Sequence, residues 1–507
     1  MGNKGLQRVT IIALRIAALI AFSCAPPAMA QADLPPFAIP LDHPAAPFLE
    51  SYRFAVQAGA TAEWRKMEGI AYDPTANRLY LAMSAVDQGM TDGKGDIDVA
   101  VNKCGVIYAA ELDDGYALHE LYPLISGGPY NADDSDNPCP VDNIANPDNL
   151  AVDGAGNLWI AEDSAEHANN MLWMFDGTTL HRFATVPIGA EVTGLHINAN
   201  DVLLFNISHP DGANLYPYNR SLIGVMTGYT AGTAFTSVPV PVGDAQHGVK
   251  VAAGTYQPLG RSGERIPRSI EDDRFGQIPL ADGSRLFCNR ADGNMFLPMN
   301  QAGSEGYLLT NYECTPGGVS MLYIQQDGAG LWAVREGDMV DFAAVNGTWH
   351  NCFASVTPWN TGLSSEELPP DVNLEWAAAY TPMHQYLGHL ANPYDYGYTL
   401  ELAPGQLGAE VVKHYVLGRT SHEISLVMPD GRTVYQSDDG TDRVLWKFVA
   451  DRAGDLSAGT LYAAKVTQKS SANGGSFTIA WIELGSSDDQ SILNAIRRLD
   501  GQINTLE

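Results

Sequence analysis

The sequence predicts an all-β protein, a β-propeller of about six blades with loop and helical excursions, and two observations carry that expectation. Short runs rich in Val, Ile, Leu, Tyr and Trp recur along the chain, and Asp-Pro, Asp-Gly, Gly-Asn and Pro-Asp-Gly turns divide them. One phrase also repeats: Glu68-Gly-Ile-Ala-Tyr-Asp-Pro with Asn77-Arg-Leu-Tyr-Leu-Ala, Asp148-Asn-Leu-Ala-Val-Asp with Asn157-Leu-Trp-Ile-Ala, and Val192-Thr-Gly-Leu-His-Ile-Asn with Val202-Leu-Leu-Phe-Asn-Ile. Each copy reads as strand, polar turn, strand, the opening of a propeller blade. A β-sandwich using the same hairpin phrase is the competing architecture.

In chain order, strands are expected at 78–84, 105–111, 157–161, 171–175, 202–207, 306–311, 398–402, 424–428, 444–448 and 460–466. Residues 244–300 have a weaker strand pattern and cluster Arg261, Arg265, Arg268 and Arg274 near Glu271, Asp272 and Asp273, so they are expected to leave the ring as an excursion. Near the end, Ile492, Leu493, Ile496, Leu499 and Ile503 have the spacing of a short amphipathic helix over 491–506, with Asp488 and Asp489 placed favourably at its positive end. Residues 31–507 are expected to form a single domain.

The first thirty residues contain Lys4, Arg8 and Arg15 but no acid, an apolar run from Ile11 to Phe22, and Ala28-Met29-Ala30. This reads as a signal peptide cleaved near Ala30, which implies a periplasmic or secreted protein. The apolar run is short and broken by Arg15, no later segment is long and uncharged, and so no stable membrane insertion is expected. The whole chain carries 59 acidic against 29 basic residues, and removing the leader takes the formal charge from −30 to −33. Such a surface repels nucleic acid and anionic membrane. Many of the acids, including Asp92, Asp96, Asp98, Asp133, Asp134 and Asp136, sit in short loops where they are either solvated or available to a hard cation.

Five cysteines follow the leader, an odd number for an oxidising compartment. Several pairings are open. The local one joins Cys104 to Cys139 and Cys288 to Cys314, and leaves Cys352, either an inert buried thiol or a soft ligand or nucleophile.

Cys352 lies in Asn351-Cys-Phe-Ala-Ser-Val-Thr357-Pro358-Trp359, followed by Glu366-Glu367. This resembles the signature of PhoX-type alkaline phosphatases, which are secreted, metal-dependent phosphomonoesterases. Further segments resemble that family: Glu68-Gly69-Ile70, Pro147-Asp148-Asn149, Glu162-Asp163, His209-Pro210, Thr310-Asn311-Tyr312-Glu313, Arg419-Thr-Ser-His422-Glu423 and Tyr435-Gln-Ser-Asp438-Asp439. The group from Glu68 to Pro210 resembles segments that follow the Cys motif in the family and precedes it here, so the chain looks circularly permuted. A closed ring of blades makes such a change of termini intelligible.

The resemblance implies a cluster of Ca2+ and Fe3+, with Cys352 on iron and Glu68, Asp148, Asp163, Glu313, Glu366, Glu367, Glu423 and Asp438 or Asp439 as the carboxylate ligands. It implies that His422 supports a ligand by hydrogen bonding. Two departures stand out. Lys66 replaces an arginine that would contact phosphate and is the catalytic candidate, with Arg65 or an arginine of the excursion as substitutes. Tyr312 stands where histidine is usual. The expected function is hydrolysis of a small phosphomonoester by a monomer, without a serine nucleophile. Two alternatives remain: a calcium-dependent lactonase, since Glu68-Gly-Ile, Asp148-Asn-Leu and Asn157-Leu-Trp-Ile also resemble gluconolactonase propellers, and a non-catalytic propeller in which calcium braces a binding surface.

Overall fold

The computed structural model describes residues 39–370, 372, 382–405 and 408–503; the leader and Leu506 lie outside them. Six antiparallel four-stranded units follow one another in the chain. Blade I comprises Met67–Asp73, Arg78–Met83, Val106–Glu111 and Glu120–Ser126; blade II Pro147–Val152, Leu158–Glu162, Met171–Phe175 and Leu180–Thr185; blade III Glu191–Ile197, Leu203–Ser208, Leu222–Thr227 and Thr255–Arg261. Blade IV comprises Ala291–Pro298, Glu305–Tyr312, Gly318–Gln326 and Trp332–Met339; blade V Asn351–Val356, Gly362–Glu366, Thr399–Gly405 and Gly408–His414; blade VI His422–Val427, Thr433–Asp438, Trp446–Arg452 and Asp455–Ser470. The first strand of each blade neighbours the first strand of the next, and that of blade VI returns to blade I, so the inner strands close a six-bladed propeller.

Both faces of each sheet are covered, which explains why the strands read as apolar runs with little alternation. Among the described residues, six hydrophobic clusters fill the six gaps between successive blades. Consecutive residues therefore serve opposite gaps: Trp159 packs between blades II and III, and Ile160 between I and II. Leu308 and Leu309 divide in the same way between the III–IV and IV–V gaps.

The 244–300 excursion is corrected. Thr255–Arg261 is the outer strand of blade III, Lys250–Val251 pairs with the edge of blade II, and Ala291–Pro298 is the inner strand of blade IV. Only the stretch between Arg261 and Ala291 leaves the ring, with a small hairpin of Gln277–Pro279 and Arg285–Phe287. Its Gly, Asn and Asp residues had masked Asp292-Gly-Asn-Met-Phe-Leu as a strand, because Gly and Asn are poor strand formers outside bulges.

The ring is fastened at its outer edge. The strand Ser476–Asp488 pairs along Asp455–Ser470 of blade VI and, through Phe477 and Thr478, with Leu121 and Glu120 of blade I. The helix Asp489–Ile503 follows; Asp488 caps it, accepting from Ser491 N at 2.8 Å and Ser491 Oγ at 2.7 Å. Ile492 and Ile496 pack with Phe48 and Leu49 of the N-terminal helices against blades V and VI.

Buried His414 ties this helix to blade V, with Nδ1 2.9 Å from Asp489 Oδ2 and Nε2 2.8 Å from Glu401 Oε2. Burial alone would lower its pKa, but these two carboxylates outweigh it and hold the imidazole at about 9. A folded value above the unfolded one means stabilisation that is complete below about pH 6.5 and lost as pH rises through about 9. Burial raises Asp489 and discounts the gain, so about 1–2 kcal/mol is expected. Urea midpoints should fall between pH 7 and 10 in the native sequence and lose most of that slope in His414→Gln.

Candidate functional site

The repeat aims side chains into the mouth of the ring by a shared backbone irregularity. In five blades the pairing of the first strand slips directly after its first residue: between Met67 and Ile70, Pro147 and Leu150, Ala291 and Asn294, Asn351 and Ala354, and His422 and Ser425. The residues at the slip are Glu68, Asp148, Asp292, Cys352 and Glu423, each with an acidic or thiol side chain. A bulge of this kind re-aims a side chain at the end of a ladder. Close approach of neighbouring inner strands accompanies it: a Cβ at Gly69 would lie 2.6 Å from Asp148 O, and one at Gly293 2.6 Å from Ala354 N. Blade III differs, since its slip follows Thr193 and its ladder continues upward through Val192 to Glu191 paired with Ser208.

A second ring of side chains comes from the residue after the second strand: Ser84, Asp163, His209, Glu313, Glu367 and Asp439 in blades I to VI. The two rings meet in one acidic basin. Donor atoms lie within 4.8 Å of one another in five overlapping groups: Glu68, Asp148 and Glu423; Cys352, Glu367 and Glu423; Glu313, His350 and Glu367; Glu191, Asp292 and Glu313; and Asp163, Glu191 and His209. Lys66, left-handed at φ +49°, places Nζ 3.0 Å from Glu68 Oε1 and 3.7 Å from Asp439 Oδ1, while Ser84 Oγ donates to Glu68 at 2.7 Å.

The basin thus gathers Lys66, Glu68, Asp148, Asp163, Glu313, Cys352, Glu367, Glu423 and Asp439 from the residues singled out in the sequence. Glu366 lies outside it and is corrected, and of the alternatives Asp438 and Asp439 it is Asp439 that enters. Successive strand residues point to opposite faces, so Glu367 enters the basin and Glu366 turns back into the protein. Its carboxylate accepts from Thr348 Oγ1, Trp349 N, Lys413 Nζ, Gly397 N and Tyr398 N, all within 3.2 Å. Asp438 likewise accepts from Ser421 N at 3.1 Å and Trp446 Nε1 at 3.0 Å. His422, opposite Asp438, has Nε2 2.9 Å from Gly418 O and braces that turn.

Of the substitutes considered for the phosphate-binding arginine, all but Arg268 are committed elsewhere. Arg65 donates to Asp87 and Gly440 O, Arg261 to Pro217 O and Asn219, Arg274 to Gly263 O, and Arg265 pairs with Asp272. Tyr312 is fully buried in the gap between blades III and IV; the imidazole beside Glu313 belongs to His350, with Nδ1 3.4 Å from Oε1. Sequence reasoning missed Glu191, Asp292, His350 and Arg290. Asp292-Gly293 repeats Glu68-Gly69 within a segment of weak strand pattern; Arg290 and His350 sit just before their strands and Glu191 begins its own, without a repeated phrase. The disulfides are Cys104–Cys139 and Cys288–Cys314, and Cys352 is free.

Burial raises the carboxyls of Glu68, Asp148, Asp163, Asp292, Glu367 and Glu423, and neighbouring carboxylates push each further up. Burial and Glu423 do the same to the Cys352 thiol, whose Sγ donates to Glu423 Oε2 at 3.0 Å. On blade III, burial would raise Glu191, but the His209 imidazole 3.0 Å away holds it at about 2, and Glu191 in turn pushes His209 up to about 10. Buried oxygens of Asn149, Asp292, Asn311, Glu423 and Asp439 have no hydrogen-bond partner among the described residues. Crowded, desolvated carboxyls with spare oxygens fit bound cations, which would relieve the repulsion and supply the missing partners. The oxygens suit hard cations, and the thiol adds one soft donor.

The chain is similar to proteins of one known family. The family model described as alkaline phosphatase PhoX matches residues 42–211 and 321–503. No curated protein sequence matches the chain. Among solved structures, Pseudomonas fluorescens PhoX in complex with vanadate is 18% identical at a TM-score of 0.33, covering 44% of this chain and 54% of that one, so the match spans about half of its length. The Dos1 propeller is 10% identical, covering 84% and 94%, at a TM-score of 0.33. The Cps50 (Swd1) β-propeller domain of Myceliophteria thermophila is 10% identical, covering 84% and 99%, at 0.37. With most of the chain inside the matched residues, Glu68, Asp148, Asp163, Cys352, Glu367, Glu423 and Asp439 among them, the chain belongs to the PhoX alkaline phosphatase family.

Proposed function

We propose that this protein is an exported phosphomonoesterase that works with calcium and iron held in the basin. The observation that carries this reading is the convergence of Glu68, Asp148, Asp292, Cys352 and Glu423 from five blades on one mouth, beside the protonated groups Lys66 and His209. Two disulfides fit an oxidising compartment and so support export after cleavage near Ala30. The thiol with Glu367 and Glu423 suits iron, and the all-oxygen group of Glu68, Asp148 and Glu423 suits calcium, with Asp163, Glu191, Asp292, Glu313 and Asp439 completing the donor set. Bound cations supply Lewis-acid stabilisation of the charge that develops on phosphoryl oxygens.

The chain's own groups do the remaining work. Lys66 lies at the mouth with its side chain 30% exposed, and its ammonium, stabilised by Asp439 and Glu68 against burial, offers a positive charge to an entering phosphate. His209, charged through Glu191, adds positive charge at the blade III side, with its Nδ1 on Gly189 O at 3.1 Å and its Nε2 on Glu191 Oε2 at 3.0 Å. Asn149 Nδ2 donates to the Asp148 carboxylate at 3.1 Å, and Asn311 Nδ2 donates to Cys352 O at 2.6 Å, tying blade IV to the inner strand of blade V.

Metal analysis of the purified protein, together with p-nitrophenyl phosphate turnover before and after chelation, tests this reading. Calcium and iron should co-purify, and chelation should remove at least about 99% of turnover, recoverable with both metals. Turnover that survives complete metal removal, or calcium alone with lactone hydrolysis and no phosphatase activity, would sink it.

A further inference from the structure

A phosphoryl group is best held by a planar fork of N–H donors, and Lys66 supplies only a point charge already shared between Glu68 and Asp439. Another cation stands at the same mouth. Arg290 immediately precedes Ala291, the first residue of blade IV's inner strand, and blade IV lies across the six-bladed ring from blade I. Its side chain is 48% exposed, and its charge is favoured by Glu313, Glu191 and Asp163, all basin residues. Asp163 also acts on Lys66, so the two cations share that carboxylate.

The backbone under Arg290 is fixed at consecutive residues. Cys288 is tied by disulfide to Cys314, next to Glu313. Asn289 O accepts from His209 N at 3.1 Å, and its Oδ1 from Ser221 N at 2.9 Å. Arg290 O accepts from Glu313 N at 3.0 Å. The side chain above this anchor makes one hydrogen bond among the described residues, Nη1 to Glu313 Oε2 at 3.1 Å, leaving Nε and Nη2 to donate. A guanidinium with a rigid base, one orienting carboxylate and spare donors over the basin is arranged to receive an oxyanion with little loss of entropy.

We propose that Arg290 binds the phosphoryl oxygens of the substrate, on the side of the mouth across from Lys66. The assignment rests on the phosphoester reading of the site. Its product, inorganic phosphate, is held by the same fork.

Full-length metal-loaded protein carrying Arg290→Met or Arg290→Lys tests the assignment with p-nitrophenyl phosphate as substrate and inorganic phosphate as inhibitor. In Arg290→Met, KM and the phosphate inhibition constant should rise together by about tenfold or more, with a smaller change in kcat. Arg290→Lys should fall between, and calcium and iron contents should equal those of the native sequence. Unchanged KM and phosphate inhibition in Arg290→Met overturn the assignment. So does a metal content that falls in step with activity, because Arg290 would then be acting through Glu313. A native protein that holds its metals but hydrolyses no phosphoester sinks the enzymatic reading separately. Calorimetric titration of inorganic phosphate into the native and Arg290→Met proteins then decides: weaker binding in the variant supports Arg290, and equal or absent binding in both overturns it.

Discussion

Glu423→Gln is expected to abolish phosphatase activity and empty the basin of metal while leaving the metal-free protein as stable as before. Glu423 is the carboxylate shared by the Glu68–Asp148 and Cys352–Glu367 groups, so its loss damages both at once. Glutamine keeps the shape, and its carbonyl can still accept from Cys352 Sγ, which now donates to Glu423. What disappears is a charge that burial and the neighbouring Asp148, Glu68 and Glu367 already disfavour without a cation. Turnover should fall by at least about 10²–10³-fold. Metal content, turnover and the urea midpoint in chelator check the three parts; full metal content with lost turnover would mean that Glu423 acts on chemistry rather than on metal.

The second large effect concerns two neighbours with opposite fates. Glu366 and Lys413 form an ion pair with both side chains 0% exposed, 2.9 Å apart, and Lys413 Nζ also donates to Gly347 O and Asp395 O. Burial already lowers the Lys413 pKa against the pull of Glu366. Glu366→Gln leaves a buried ammonium without its counter-charge and should cost about 3–5 kcal/mol, with or without metal. Adding Lys413→Met to that variant should recover part of the loss, because the uncompensated charge is gone. Glu367→Gln, one residue on, should instead leave the metal-free fold intact and reduce metal content. Denaturant titrations of the variants in chelator and in metal distinguish the two roles, and equal destabilisation by both would contradict the division of labour.

This pair shows where the sequence is silent. Glu366-Glu367, Glu162-Asp163 and Asp438-Asp439 are legible as acidic pairs, but which member faces the mouth depends on ladder register, which residue type does not encode. In each pair the first residue faces inward and is saturated by hydrogen bonds, and the second enters the basin. The propeller was legible because its phrase repeats with apolar runs at even spacing, and the six gaps between blades require those runs. Asp292 was hidden by the Gly and Asn residues that its bulge needs. Arg290 and His350 occupy lead-in residues whose partners are distant in sequence, Glu313 being 23 residues from the first and 37 from the second. Such placements appear only when the ring closes.

The outer-edge fastening by Ser476–Asp488 bears on how the protein is made. Glu68 and Glu423 belong to blades I and VI, and the strand that joins those blades is made after the strands of all six. A partly synthesised chain therefore has neither a sealed ring nor a complete basin, and the long-range pairing that seals it makes folding slow. An exported chain that crosses its membrane unfolded carries no metal with it. On the proposed export and metal binding, the cations would be those of the compartment in which the seam closes, and their identity would record where the chain completed its folding.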